Sequence, residues 1–233
     1  MRKVLWILLL VPQLAFTQTR KEFWLKVNLT HRFDTKWSAG LDMQHRRQAN
    51  FKTADHNIFH LTMANYVRAW VYYQLPRQWT LVISPLGYFD NEDILNTAGE
   101  LKQTNELRIS PGITKSFQWG KVKNKNRFLY DIRFAEFDKA SHFTQTRFRL
   151  QNNFLFPLFS LKKNQQFSYL LSNEVLVKKQ KQSTGFDQDR VYNALQWKHG
   201  PHDVSIGYQW VVQKGTAGIF HRHQLFMLVN IGI

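Results

Sequence analysis

The sequence predicts an all-β protein: a single antiparallel up-and-down transmembrane β-barrel of about 10–12 strands. Apolar and polar residues alternate with period two through three runs between Phe186 and Ile233. Because successive side chains of a strand point to opposite faces, each run makes a strand with one apolar and one polar face. Short turns alternate with longer loops, and the runs exceed the length of about five or six residues usual in soluble sheets. These observations predict that one face meets lipid and the other meets a polar lumen.

The N-terminus has the organisation of a secretory signal peptide. Positive charge in residues 1–3 precedes an apolar run over residues 4–11. That run is too short for a helix that spans a bilayer, which needs about 20 residues. Small residues then suit cleavage before Gln18. We therefore expect a cleaved signal peptide over residues 1–17 and an exported barrel over residues 18–233, placed in the outer membrane of a Gram-negative bacterium.

The composition excludes several classes of protein. The chain has 233 residues, 32 Lys and Arg against 16 Asp and Glu, and no cysteine, so a disulfide scaffold and a thiolate metal site are excluded. The arginines recur at strand period with no basic tail or helix, which argues against a nucleic-acid partner. Mean hydropathy is only −0.42, but a membrane barrel has low overall hydropathy because only alternate residues face lipid.

The first half of the chain supplies five predicted strands. Their apolar faces comprise Phe23, Leu25, Val27, Leu29 and Phe33; Trp37, Ala39, Leu41 and Met43; Phe59, Leu61, Met63, Val67, Ala69, Val71 and Tyr73; Trp79, Leu81, Ile83 and Phe89; and Leu107, Ile109, Ile113 and Phe117. Short turns are predicted at 34–36, 76–78 and 120–126, and polar loops at 47–57 and 91–102. The connections therefore alternate between short and long, as in outer-membrane barrels.

The second half supplies six more strands. Their apolar faces comprise Phe128, Tyr130, Ile132 and Phe134; Phe148, Leu150, Phe154 and Phe156; Phe167, Tyr169, Leu171, Val175 and Val177; Val191, Leu195 and Trp197; Val204, Ile206, Tyr208, Trp210 and Val212; and Leu225, Met227, Val229, Ile231 and Ile233. Loops are predicted at 138–144 and 178–185, and a turn at 162–165. The total is odd, whereas single-chain bacterial barrels close with an even number. We therefore expect two merged strands in the run 58–75, or an error near the N-terminus.

Aromatic residues gather at the ends of the predicted strands. Trp24, Trp37, Trp79, Trp119 and Trp197 are examples. Aromatic girdles at the two membrane interfaces would produce this distribution. The general preference of aromatic residues for strands accounts for part of it.

The polar faces carry arginines with acidic residues near them. In a narrow lumen such charges must be paired, so we predict a network of ion pairs and hydrogen bonds. Its predicted members are Arg46, Arg68, Glu106, Arg108, Arg127, Asp131, Arg133, Arg147, Arg149, Glu174, Asp187 and Arg190. Asp187 is expected to accept hydrogen bonds near Arg190. A structural ladder is the first interpretation, and a cationic lumen that attracts an anionic solute or lipid headgroup is the alternative.

Catalytic and metal-binding patterns are weak. His221 and His223 share a strand face, but no third ligand is evidently placed beside them, so no metal and no cofactor is predicted. The sequence has no nucleophile elbow, phosphate loop or zinc helix, so we predict no catalytic residues. Two other functions remain open: an enzyme acting on lipid A or phospholipid, and a soluble periplasmic barrel that binds an apolar ligand. The expected partners are outer-membrane lipids, lipopolysaccharide and the barrel-assembly machinery, with the oligomeric state undetermined.

Short motifs along the chain resemble an outer-membrane β-barrel family known as domain of unknown function 2490. The motifs are Trp24, Arg46-Arg47, Glu106-Leu107-Arg108, Arg147-Phe148-Arg149-Leu150, Phe186-Asp187-Gln188-Asp189-Arg190-Val191-Tyr192, Gly207-Tyr208, and His223-x-Leu225-x-Met227. The resemblance covers nearly all of the expected mature chain. It implies an outer-membrane barrel and supplies neither an activity nor catalytic residues.

Overall fold

The computed structural model is a closed barrel of eleven β-strands. It describes residues 19–50, 57–94, 101–137, 141–162, 164–180, 183–215 and 218–233. The strands are β1 (Thr19–Arg32), β2 (Trp37–Gln48), β3 (Leu61–Leu75), β4 (Trp79–Ile94), β5 (Leu101–Trp119), β6 (Val122–Phe137), β7 (Ser141–Lys162), β8 (Gln165–Gln180), β9 (Ser183–His199), β10 (His202–Gly215) and β11 (Gly218–Gly232). The predicted all-β up-and-down barrel of 10–12 strands is confirmed. The expected signal peptide lies outside the described residues.

The barrel closes by pairing its first strand with its last. β1 and β11 run parallel, from Thr19 opposite His221 to Thr30 opposite Gly232, and all other neighbouring strands are antiparallel. The expectation of an even strand number is wrong, because the region 58–75 contains the single strand β3. An odd number brings the two terminal strands together in the same direction. Their backbone groups still pair, so the sheet has no open edge.

The two ends of the barrel differ in their connections. The connections 33–36, 76–78, 120–121 and 200–201 lie at one end, called here the short-turn end, together with Ile233. The longer connections, such as the one between β2 and β3, lie at the other end, called here the long-loop end, where β1 begins. The predicted turn at 120–126 is wrong in extent. Residues 123–126 belong to β6 because they pair with β7.

The other predicted loops are also shorter than expected, since β2 continues to Gln48 within the predicted loop 47–57 and β7 begins at Ser141 within the predicted loop 138–144. β8 continues to Gln180 and β9 begins at Ser183, where a loop over 178–185 was predicted. β4 continues to Ile94 and β5 begins at Leu101, within the predicted loop 91–102. In both places the polar composition suggested a loop. Backbone pairing with the neighbouring strand extends the β-structure beyond the apolar pattern.

The outer surface of the barrel is largely apolar. Large apolar side chains from nearly every strand are at least one-third exposed, among them Val67, Leu81, Ile83, Leu107, Ile109, Phe128, Phe134, Phe148, Leu150, Leu171, Leu195, Ile206 and Leu225. Trp37, Trp79, Trp119 and Trp197 are exposed beside the short turns. No described segment forms a helix with the length and hydropathy to cross a membrane.

Phe89 and Met63, which were expected to face outward, instead point into the barrel. Phe89 is 6% exposed, and the guanidinium of Arg108 lies 3.9 Å from its ring centroid. Met63 is 2% exposed, with its sulfur 3.4 Å from Arg222 Nη2. Irregularities in the β-ladder explain both. The pairing of β4 with β3 and β5 shifts register between Ser84 and Gly87. The pairing of β2 with β3 shifts between Arg46 and Arg47, opposite Met63. An extra residue at a β-bulge moves the following side chains to the other face.

Trp24 also lies inside the barrel and not in an interfacial girdle. It is 6% exposed, and its Nε1 donates to Glu22 Oε2 at 2.9 Å. A buried indole needs an acceptor for its N–H, and this carboxylate supplies one. The prediction of an interfacial position is therefore wrong for Trp24.

Candidate binding site in the barrel lumen

Asp131 is a central carboxylate of the lumen. It lies on β6 with no exposed surface. Its Oδ2 lies 3.3 Å from Arg147 Nη2 and 3.5 Å from Arg149 Nη1, both on β7. Arg68 of β3 and Arg108 of β5 approach the same carboxylate at 3.5 and 3.7 Å. Ser110 Oγ also donates to it at 2.6 Å. One acidic side chain is thus shared among four arginines from three strands.

Glu106 forms a second centre next to Asp131. Its Oε1 lies 2.6 Å from Arg108 Nη2, and its Oε2 lies 2.5 Å from Arg133 Nη2. Arg108 and Arg133 are directly opposite each other on β5 and β6. Two guanidinium groups side by side repel each other, and the carboxylate between them removes that cost. Arg133 also donates to Gln145.

Glu174 and Asp187 are the carboxylates of two further ion-pair centres. Glu174 Oε1 lies 2.6 Å from Arg149 Nη2, and its Oε2 lies 3.1 Å from Arg190 Nη1. Asp187 lies 3.3 Å from both Arg147 Nη1 and Lys178 Nζ. Asp187 thus accepts a hydrogen bond, as expected of it, and the donor is Arg147. A register shift at Leu176/Val177 displaces this part of β9.

Arg46 and Arg127 each donate a hydrogen bond to the carboxamide of a glutamine. Arg46 Nη2 donates to Gln44 Oε1 at 3.1 Å, and its guanidinium lies 3.7 Å from the ring centroid of Trp24. Arg127 Nη2 donates to Gln151 Oε1 at 2.7 Å. No ion pair between Arg127 and a carboxylate occurs among the described residues. The neutral carboxamide of Gln151 orients the Arg127 guanidinium without neutralising it.

Glu22 is an ionic centre that the predicted network did not include. It has no exposed surface, and its carboxylate accepts from Arg222 Nε at 2.6 Å and from Gln224 Nε2 at 2.7 Å. A second such centre joins Asp42 to Lys26 Nζ and to Trp70 Nε1, each at 2.9 Å. The period-two alternation contained the signal for both. Glu22 and Lys26 sit at alternate positions to the apolar residues of β1, and therefore point inward.

The lumen holds a cavity of about 1250 Å³ with a large excess of cationic side chains. The cationic side chains that line it are Arg20, Lys26, Arg46, Arg68, Arg108, Arg127, Arg133, Arg147, Arg149, Lys178, Arg190, Lys214 and Arg222. The carboxylates that line it are Asp42, Glu106, Glu174 and Asp187. Even with the buried Glu22 and Asp131 added, the cations outnumber the acids about two to one. The described part of the cavity wall is therefore strongly electropositive.

The cavity is bounded by apolar side chains toward the short-turn end. One cluster joins Trp70, Val82 and Leu129. The other joins Trp24, Ala194 and Phe226, with Leu170, Tyr192 and Leu228 packed against it. At the short-turn end lies a separate cavity of about 410 Å³, which shares no lining residue with the first. The large cavity extends to the long-loop end, where Lys214 and Phe220 line it. The lumen is called here a cup, open at the long-loop end, and its two apolar clusters are called the floor.

His221 and His223 lie outside this cup, on the outer face of β11. His221 stacks on Trp210 with ring centroids 5.5 Å apart, and His223 hydrogen-bonds to Tyr208. No group of three possible metal-ligating side chains occurs among the described residues. The two histidines are engaged by aromatic neighbours from β10.

Comparison with known proteins identifies the family. A family model described as "Protein of unknown function (DUF2490)" matches residues 21–222. Among solved structures, the β-domain of the Bordetella autotransporter BrkA is similar at 13% sequence identity, with a TM-score of 0.49 and 78% of each chain covered. No curated protein matches the sequence. Since the family model matches most of the chain, from β1 into β11, the protein belongs to the DUF2490 family.

Proposed function

We propose that this barrel resides in the outer membrane of a Gram-negative bacterium and that its lumen binds small anionic solutes entering from the long-loop end. The observation that carries the proposal is the charge of the cup. Among the described residues, thirteen Lys and Arg side chains and four carboxylates line one cavity of about 1250 Å³. A concave site lined mainly by one sign of charge focuses the field and concentrates the opposite ion.

The outer surface supports the membrane location. Large apolar side chains such as Ile83, Leu150 and Ile206 are 42%, 50% and 56% exposed. On a water-soluble barrel this arrangement would be inverted, with the apolar side chains inside and the charges outside. A lipid environment solvates such a surface, and a closed sheet satisfies its backbone there. The expected signal peptide over residues 1–17 would provide export.

The chemistry of the lumen supports an anionic ligand. Guanidinium groups present forked N–H donors that match carboxylate and phosphate oxygens. Arg127 is held by a carboxamide, so it keeps charge to offer to a ligand. Lys214 and Arg20 line the part of the cavity nearest the long-loop end, where they would attract anions into it. An apolar ligand would find an unfavourable surface here, because the central wall is ionic.

The floor of the cup favours binding over conduction. Trp70, Leu129 and Phe226 are buried in these apolar clusters, and Trp70 and Phe226 also line the cavity. Purified protein in planar bilayers is therefore expected to show no steady conductance. Stable open-channel steps would contradict the closed floor.

Fractionation tests the proposed location. We expect the protein in outer-membrane fractions. We also expect its mobility on denaturing gels to differ between boiled and unboiled samples. In that location, outer-membrane lipids, lipopolysaccharide and the barrel-assembly machinery would be its partners. Release by osmotic shock as a soluble protein would overturn the membrane part of the proposal.

Titration with inorganic pyrophosphate tests the proposed ligand class. Binding to the purified barrel is followed through the fluorescence of the lumen residues Trp24 and Trp70. Arg127→Gln should weaken binding about tenfold, because it removes a charge without leaving a carboxylate unpaired. Arg77→Gln, in the exposed turn at the opposite end, is the matched control and should bind as wild type does. Equal affinity in both variants, or no binding to the wild type, would overturn the anion proposal.

A further inference from the structure

A row of carboxamides crosses the outer face of three neighbouring strands. Asn126 of β6 is directly opposite Asn152 of β7, and Asn152 is directly opposite Asn173 of β8. Their sequence neighbours Arg127, Gln151 and Glu174 line the lumen. Because side chains alternate along a strand, the three asparagines point outward.

Asn152 and Asn173 lie in the apolar part of the exterior. Asn152 is at the middle of the 22-residue β7, and Asn173 is at the middle of the 16-residue β8. Around them, Phe128, Leu150 and Leu171 are 41%, 50% and 36% exposed. At the middle of a transmembrane strand, neither water nor lipid headgroups are at hand to hydrogen-bond a side chain. This placement rests on the membrane location in the proposed function.

The two flanking members of the row have hydrogen-bond partners. Asn173 Nδ2 donates to Asp189 Oδ1 at 2.6 Å, and Asn126 Nδ2 donates to Asn124 Oδ1 at 2.9 Å. The carboxamide of Asn152, at the centre, forms no hydrogen bond to any residue that the structure describes. A carboxamide without partners among acyl chains is unfavourable. Its outward position therefore points to a partner beyond the residues that the structure describes.

We propose that Asn152 marks an interface at which a second copy of this chain docks within the membrane. A carboxamide has both donors and acceptors, so two identical side chains across a two-fold axis can satisfy each other. A two-fold interface uses the same patch on both subunits, and a row of identical residues is self-complementary. Membrane proteins associate through such polar contacts because hydrocarbon offers no competing partners. The exposed Leu150 and Phe128 would pack around this centre.

Cysteine cross-linking tests the interface, since the chain contains no cysteine of its own. Leu150→Cys places a thiol on the same outer face of β7, two positions from Asn152. Met43→Cys, 36% exposed in the middle of β2 on the other side of the barrel, is the control. A short bis-maleimide applied to outer membranes should give a band of twice the monomer mass with Leu150→Cys and little with Met43→Cys. Equal bands would indicate random collisions and would overturn the interface.

A second pair of variants tests the role of the carboxamide itself. In the Leu150→Cys background, Asn152→Leu should lower the yield of dimer about tenfold, while Asn152→Gln should retain most of it. A product of any other mass would show a different partner and would overturn the assignment of a second copy. An undiminished yield with Asn152→Leu would overturn the part assigned to Asn152.

Failure of the interface and failure of the membrane location are distinguishable. Each variant is first tested for outer-membrane fractionation and heat-modifiable mobility. A heat-modifiable membrane protein that stays monomeric contradicts only the interface. A protein recovered in the soluble fraction contradicts the proposed function on which the interface depends.

Discussion

Glu22 on the first strand and Arg222 on the last are joined by an ion pair of 2.6 Å, although 200 positions separate them in the chain. They lie at the seam where β1 and β11 run parallel. Gln224 and Trp24 also donate to the same carboxylate. The seam is thus joined by a buried polar cluster as well as by the backbone ladder.

The first prediction concerns closure of the barrel. Glu22→Gln leaves Arg222 buried without its counter-charge, which costs about 3 kcal/mol in typical buried pairs. We expect a lower free energy of unfolding, measured by denaturant titration in detergent micelles. Glu136→Gln is the control, because Glu136 has no ion pair within the described residues and should leave stability unchanged. Equal stability of the two variants would mean that the cluster at the seam is not needed for closure.

The second prediction concerns the central carboxylate. Asp131→Asn removes the negative charge that Arg68, Arg108, Arg147 and Arg149 share. Four guanidinium groups would then repel one another in a small volume, and the loss should be at least about 3 kcal/mol. The compact band on unboiled gels should disappear at a lower temperature. Asp203→Asn should have a smaller effect, because Asp203 accepts only from the carboxamides of Gln196 and Asn230 among the described residues.

The third prediction concerns packing inside the barrel. A Cβ added at Gly207 would lie 2.1 Å from the carbonyl oxygen of Asn193 and 2.5 Å from Ala194 Cβ. Gly207→Ala should therefore destabilise the barrel by about 2 kcal/mol, within the usual range for overpacking. Gly185→Ala is the matched control, because an added Cβ there meets nothing within 4 Å. Denaturant titration compares the two, and wild-type stability of Gly207→Ala would contradict the close approach of β9 and β10.

The fourth prediction concerns the turn between β1 and β2. Asp34 Oδ1 accepts from the backbone N–H of Lys36 at 2.6 Å and of Trp37 at 2.7 Å. The hydrogen bonds from Trp37 and Lys36 hold the pKa of Asp34 below its usual 3.8. A lowered folded-state pKa means that the carboxylate stabilises the turn above about pH 4. This stabilisation is lost as the pH falls through the folded-state pKa.

Carboxyl carbon NMR of Asp34 measures this pKa directly. Comparison with Asp34→Ala tests the consequence for the turn. The variant should have a less stable turn at neutral pH, and the difference from wild type should disappear in strong acid. A titration midpoint of Asp34 above 3.8 would contradict the hydrogen bonding of the turn.

The sequence by itself determined the all-β class and the faces of most side chains. Arg147 and Arg149 alternate with Phe148 and Leu150, and this period of two is set locally by the backbone of a strand. A residue's face therefore follows from its neighbours, without knowledge of the rest of the chain. Arg46, Arg108 and Arg190 were assigned to the lumen in this way, and the structure places them in the wall of the cavity.

Only the tertiary structure decided which residues depart from the alternation and which charged residues pair with one another. Bulges turned Phe89 and Met63 inward. Near the register shift between β8 and β9, Asp187 forms ion pairs with Arg147 and Lys178. The closure of eleven strands through a parallel seam likewise brought Glu22 to Arg222. Alternation is a property of one strand, whereas register and closure depend on how distant strands pair. That pairing is decided by the free energy of the whole barrel and leaves no local pattern in the chain.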